Sequence, residues 1–284
     1  MVPPIIKDLL RIKKLDISLG IFIGIILVSI VGSALFYPNP EKKYVAEYAQ
    51  LLPPSPRFPL GTDGAYRDVL ATLINGIKNS FYIGVTAALI SLAIGVLFGV
   101  IAGFKGGIID SSLMVGTDVI LAFPIVLVML LAASLVSSDQ RTPMLVSTII
   151  GATGWPWVAR AIRSQIMSLK TREFMYMSRM AGLGDMRIIF EDLLPNMASY
   201  LFMAFVLLMS ISMIAEAGLS VIGLTTNSIT LGNVLRQAQL DETLRRKLWW
   251  HFLPPGACLV AMTSSLLLMS TALDEFFSPR LKGG

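Results

Sequence analysis

The stretch FYIGVTAALISLAIGVLFGVIAG, residues 81–103, runs without a charged side chain. About twenty consecutive apolar residues are what an α-helix needs to cross a hydrocarbon core roughly 30 Å thick. Inside lipid the backbone must satisfy its own N–H and C=O groups, which leaves helices and closed barrels as spanning forms. Barrel strands alternate apolar and polar over about ten residues; this stretch does not alternate, so it predicts a helix. On either side of it, five further apolar blocks predict spans at 17–36, 115–136, 144–161, 198–224 and 252–273. Hydrophobic residues make up 55% of the 284 and charged residues only 14%, and no soluble core of this size needs six such blocks. The fold class is all-α, a polytopic membrane protein with six transmembrane helices. Gly95, Gly99 and Gly103 recur every four residues on one face of the second span, which permits close helix approach; glycine merely tolerated in a membrane helix gives the same pattern. Pro124 and Pro156 allow kinks.

Charge orients the chain. Lys7, Arg11, Lys13 and Lys14 precede the first span, and the positive-inside rule places that N-terminus in the cytoplasm. Six crossings return the C-terminus there. The first apolar stretch exceeds the roughly 7–15 residues of a cleaved signal and exits at Phe36-Tyr37-Pro38 instead of small residues, so it reads as a retained anchor. Residues 38–79, rich in Pro and charge, read as an extended external strap. The chain then divides into 1–79 (N-terminus, first helix, strap) and 80–284 (a five-helix core). Residues 225–251 form a second external segment, with Trp249 and Trp250 at the re-entry, where amphipathic rings favour the interface.

Catalytic chemistry is not expected. Cys258 is the only cysteine and His251 the only histidine, so neither an intramolecular disulfide nor a metal cluster is expected. The glycines of 103–107 and 151–154 are not followed by the Lys-Ser/Thr of a phosphate-binding loop. No carboxylate pair lies within one span and no Ser–His set supports a triad. The reading is a non-enzyme with no catalytic residues, no metal and no cofactor of its own.

One long polar interruption, RAIRSQIMSLKTREFMYMSRMAGLGDMRIIFEDLLPN at 160–196, separates the fourth and fifth spans. Thr171 suits an N-cap, Glu173 suits the positive start of a helix, and Gly182 can take the left-handed conformation that ends one, predicting a short helix over 172–181. Phe174, Met177 and Ala181 line one side of it, with Met175 and Met180 adjacent, and flexible thioethers adapt to an irregular groove. Gly184 and Asp185 open a second helix whose Met186, Ile189, Phe190, Leu193 and Leu194 follow an amphipathic spacing, expected to pack on the membrane domain. Arg187 and Glu191, four apart, are expected to pair in water. A docking loop and an ordinary solvated loop both fit this pattern.

A resemblance separates them. The loop resembles the EAA loop of binding-protein-dependent ABC importers: a short helix, a glycine (Gly182), then thirteen residues on the Pro of an Ile/Leu-x-Leu-Pro ending (Leu193, Leu194, Pro195). Other stretches resemble the C-type permease subunit of dipeptide, oligopeptide and nickel importers, in order: PLGTDGAYRDVL (59–70), DVILAFP (118–124), GWPWVARAIRSQIMSLKTREF (154–174), IAEAGLSVIGL (214–224), Trp249-Trp250 before Pro255-Gly256, and SPRLK (278–282). Together they cover nearly the whole chain after the first span. The resemblance implies a type I ABC importer core of five helices behind one N-terminal helix, in the cell membrane. It implies as partners a second related permease (a heterodimer), two cytoplasmic ATPase subunits that use ATP and Mg, an extracytoplasmic substrate-binding protein and the lipid bilayer, with no nucleic acid. It implies an ATPase-docking loop at about 160–196 comprising Glu173, Phe174, Met175, Tyr176, Met177, Ser178, Met180, Ala181, Gly182, Asp185 and Pro195.

The departures bear on that loop. Tyr176, Met177 and Ser178 stand where the family has Glu-Ala-Ala, so Glu173, one turn earlier, takes over the acidic role, or the contact is apolar through Met175, Tyr176 and Met177. Leu231 replaces the Trp before Gly232-Asn233, and Ser278 replaces the tail's Asp. Two intramembrane acids have both readings: Glu216 lines the translocation path, or is satisfied by Ser212, Ser220 or a neighbouring backbone; Asp118 is a structural partner of Arg160 or Arg163. An ion- or proton-coupled transporter, with Glu216 as its one support, and a membrane scaffold are the competing functions. For substrate, peptides come first, with oligosaccharides or nickel as alternatives.

Overall fold

The computed structural model describes residues 13–35, 50–224 and 226–277; the N-terminal basic residues before Lys13, the first part of the strap up to residue 49, and the tail with Ser278 lie outside them. Ten helices carry labels: α1 Lys13–Leu35, α2 Val69–Lys105, α3 Gly107–Ala122, α4 Ile125–Ser134, α5 Pro143–Leu169, α6 Glu173–Met180, α7 Asp185–Arg187, α8 Ala198–Ile222, α9 Leu231–Leu240 and α10 Trp249–Phe277. Among the described residues strand pairing is limited to one isolated bridge, Thr62 with Asp68.

Helices α1, α2, α8 and α10 are each long and apolar enough to cross a membrane, and α3 with α4 forms a bent pair. α5 has 27 residues but carries Arg160 and Arg163. The all-α, multi-pass architecture stands, with these six units in the order expected.

Their boundaries differ from the sequence reading in informative ways. The second span begins at Val69, not at Phe81, so α2 is 37 residues long and the boundary expected at 79/80 falls inside it. Asp68 caps it, its carboxylate accepting Leu70 N–H at 2.8 Å. Polar residues that hid this helix have tertiary partners: Ser33 Oγ donates to Asn75 Oδ1 at 2.8 Å, and Asn79 Nδ2 donates to Ile229 O at 2.7 Å. The loop expected between the second and third spans shrinks to Gly106, whose φ of +70°, succeeded by +59° at Gly107, is a conformation open to glycine. The third span is broken: α3 and α4 meet at 79° across Phe123 and Pro124. Proline lacks the N–H that would continue the ladder. The fourth span runs on to Leu169, straight through Pro156, so the polar loop starts at Lys170 rather than Arg160.

The glycine stripe on α2 is a packing seam. A Cβ on Gly95 would lie 2.9 Å from Val158 Cγ1, on Gly99 2.7 Å from Ala159 O, and on Gly103 3.0 Å from Arg163 O. α2 and α5 thus lie backbone to backbone, and only glycine fits between them.

The chain's polar loop sits at one end of this bundle. α2 ends there beside Lys170, and Lys14 of α1 pairs with Glu275 of α10 at 2.9 Å. The segments 50–68 and 226–248 occupy the opposite end. There Asp63 accepts Ala65 N–H, Arg67 N–H and Arg67 Nε–H at 2.9, 2.8 and 2.7 Å. Asp241 accepts Gly64 N–H at 2.8 Å and Gln237 Nε2–H at 2.9 Å, tying the strap to α9.

Candidate functional site

The loop between α5 and α8 begins with a tether. Lys170 Nζ donates to the carbonyls of Phe104 (2.8 Å) and Gly103 (3.2 Å), satisfying two of the unpaired carbonyls at the end of α2. Thr171 does not cap the next helix. Its hydroxyl turns back to Ser168 O at 2.9 Å, and the N-cap is Arg172, without a side-chain bond. α6 therefore spans 173–180 and not 172–181. Gly182 ends this turn with φ of +74°, in the left-handed region expected of it.

One face of α6 is an anchor and the other is open. Met175 is 1% exposed and belongs to the main hydrophobic core, with Phe174 packed against it. Tyr176, Met177 and Met180 are exposed, Met180 at 88%. Glu173, Ala181, Gly182, Asp185 and Pro195 are exposed as well. Of the docking set expected from the sequence, Met175 is an inward anchor and Phe174 packs on the core, while the remaining members other than Ser178 are exposed. Ser178 is half-buried and donates to Asp192 Oδ2 at 2.6 Å, pinning α6 to the next part of the loop. Asp185 lies 3.6 Å from Lys105 Nζ, both exposed. Arg187 and Glu191 pair at 2.8 Å as expected, and the pairing holds the Arg187 guanidinium above its ordinary range.

The second loop helix does not hold its expected phase. α7 passes at Ile188 into a π-helical stretch, Ile188–Leu193, and a last turn Leu194–Asn196. A π turn takes an extra residue, which rotates the side chains beyond it about the helix axis. Ile188 and Leu193 are buried, whereas Met186 and Phe190, expected on the packing face, are exposed, Phe190 at 65%. Ile189 and Leu194 are partly buried against the core. The exposed Met186 and Phe190 add to the open apolar surface of Tyr176, Met177 and Met180.

The intramembrane acids resolve separately. Asp118 pairs with Arg160, and Asp110, which the sequence reading did not single out, pairs with Arg163, Nη2 to Oδ2 at 2.5 Å. Glu216 is 1% exposed. Its carboxylate accepts hydroxyl protons from Thr230 (2.6 Å), Ser220 (2.8 Å) and Ser80 (3.3 Å). Of the partners expected, Ser220 is present; Ser212 instead lines an apolar cavity of about 680 Å³ at the α3–α4 bend, with Phe123, Met129 and Trp157, a cavity that Glu216 does not reach. Glu216 therefore faces a closed hydroxyl network and not an open path. Among the described residues no group of three or more His, Cys, Asp or Glu could hold a metal ion.

Fold and site together define a polytopic helical membrane protein that presents a short, anchored loop helix with open apolar side chains at one end. Residues 95–283 match the family model of binding-protein-dependent transport system inner membrane components. The chain is 30% identical over 276 residues to the dipeptide transport system permease protein DppC of Bacillus subtilis, covering 96% of this chain and 84% of that protein. It is 31% identical over 233 residues to the oligopeptide transport system permease protein OppC of Mycobacterium tuberculosis, covering 81% and 79%. A putative peptide permease protein of Brucella suis is 31% identical over 229 residues, covering 80% and 74%. The chain belongs to this family of transport permeases, a membrane component of an ABC transporter complex.

Proposed function

We propose that this chain is one permease subunit of an ATP-driven peptide importer, contributing half of a translocation path and docking a cytoplasmic ATPase through α6. The observation that carries this reading is the open face of α6: Tyr176, Met177 and Met180 exposed on a helix whose opposite side is fixed by Met175. Apolar side chains of this size held in water favour a partner that covers them. The relatives with peptide-transport names support peptides as the cargo. A related permease, two ATPase subunits using ATP and Mg, and an external binding protein complete the assembly, with both termini and the loop in the cytoplasm.

In this reading closure of the ATPase pair draws the docked loops together, and the spans attached to them change from one access state to the other. With Tyr176 in the acidic position, the contact is mainly apolar, and Glu173, exposed one turn earlier, supplies the charge. Ion coupling loses its support, because Glu216 is enclosed. The test is purification with the neighbouring subunits, then uptake of labelled peptide into vesicles. Deleting 171–184 is expected to abolish ATP-dependent uptake and ATPase binding; intact assembly and uptake would overturn the reading. Uptake of nickel or an oligosaccharide instead would change the cargo and leave the docking role.

A further inference from the structure

We infer that Glu216 is a positioning residue that locks α9 to the spans α2 and α8, so that the outer helix and the two spans move as one piece. The geometry is a relay in two steps. Glu216 accepts the protons of Ser80 on α2, Ser220 on α8 and Thr230 at the start of α9. Two of those hydroxyls then accept the free amides of α9: Leu231 N–H donates to Ser80 Oγ at 2.9 Å, and Asn233 N–H donates to Thr230 Oγ1 at 3.1 Å. The opening N–H groups of a helix have no partner within it. Here two of them, those of Leu231 and Asn233, are satisfied through oxygens whose own protons go to one carboxylate.

The surroundings leave this arrangement no slack. Ser80, Glu216, Ser220, Thr230 and Leu231 are all fully or almost fully buried. A Cβ on Gly232 would stand 2.8 Å from Ala217 Cα and 3.0 Å from Glu216 Oε1, so α9 rests on α8 with no room for a side chain. A Cβ on Gly76 of α2 would likewise stand 3.1 Å from the Thr230 backbone. A carboxylate suits the centre because it only accepts, with lone pairs enough for three donors; a glutamine oxygen has two, and its amide adds donors of its own. Without the carboxylate, the buried hydroxyls of Ser80 and Thr230 lose their acceptor, and Ser220 is left with Asn233 Oδ1 at 3.2 Å.

The consequence for transport rests on the importer reading: α9 becomes the element through which a contact on that end of the bundle reaches α2 and α8. The experiment compares wild type, Glu216→Gln and Glu216→Ala in the full-length chain, purified with its neighbouring subunits. Amide exchange at 229–234 is expected to rise about tenfold or more in Glu216→Ala while the middle of α8 stays protected, with Glu216→Gln between the two. Stimulation of ATPase by the binding protein is expected to fall in the same order, with the unstimulated rate unchanged. If Glu216→Ala does not accumulate, Ser80→Ala removes one strand of the relay and is expected to give a smaller rise at Leu231. Wild-type protection at 229–234 in every variant that accumulates would overturn the clamp and leave the importer reading intact. Loss of protection in a complex without ATPase activity would support the clamp and overturn the importer reading.

Discussion

The two ends of the bundle satisfy their side chains in opposite ways. At the far end, where 50–68 meets 226–248, buried polar groups close on one another around Asp63, Asp241 and Glu216. At the loop end, Tyr176, Met177, Met180, Met186 and Phe190 stand open, and the loop is held by Met175, by the Ser178–Asp192 bond and by Lys170. The far end is wired mainly within the chain, although Trp250 Nε1 and both ring nitrogens of His251 are buried there without a hydrogen-bond partner. The loop end is complete only in its anchors, and its outer surface is the kind that a partner covers.

Breaking each end should therefore give different symptoms. Asp63→Ala strands two backbone amides and Arg67, and removing one member of a buried charged set costs about 3–5 kcal/mol. A large fall in the melting midpoint of the detergent-solubilised protein is expected; an unchanged midpoint would end the description of the far end as internally wired. Met175→Ala opens a cavity under α6 and is expected to cost about 2–5 kcal/mol, read as faster protease cleavage within 171–196. Equal cleavage rates would show that Met175 is not the anchor. Ser178→Ala removes one side-chain bond and is expected to cost about 1 kcal/mol, read as faster amide exchange across α6 with α8 unaffected. The smallest effect on stability, within about 0.5 kcal/mol, is expected from joint replacement of Tyr176, Met177 and Met180 by Ser. That variant should nevertheless lose co-purification with the ATPase subunit, and retention would mean that the open face is not what the partner covers.

Much of this contrast was legible in the residues, for reasons that can be separated. The apolar blocks gave the spans because the requirement of lipid is local to each segment. The spacing of Gly95, Gly99 and Gly103 pointed to close approach, and the left-handed turn at Gly182 and the Arg187–Glu191 pair are also local. What escaped depends on distant contacts. The first three turns of α2 read as strap because Asn75, Lys78 and Asn79 interrupt the hydropathy, and two of these have partners on α1 and ahead of α9. The second loop helix departs from its expected face at Phe190, which lies in a π stretch at 188–193 that a fixed 3.6-residue period does not anticipate, and at Met186, which lies ahead of that stretch. Met175 looked like its neighbours, since side chains on both faces of α6 are methionines. Ser80 and Thr230 lie 136 and 14 residues from Glu216, beyond the reach of any periodic pattern.

The length of α2 has a mechanical meaning. At 1.5 Å per residue its 37 residues extend about 55 Å, nearly twice a hydrocarbon core of roughly 30 Å. Its last carbonyls are gripped by Lys170 at the root of α6, and about a third of the way along from its other end Ser80 sits under the start of α9. The helix is thus a single strut with a fitting toward each end. A tilt of that strut about its glycine seam with α5 moves both fittings together.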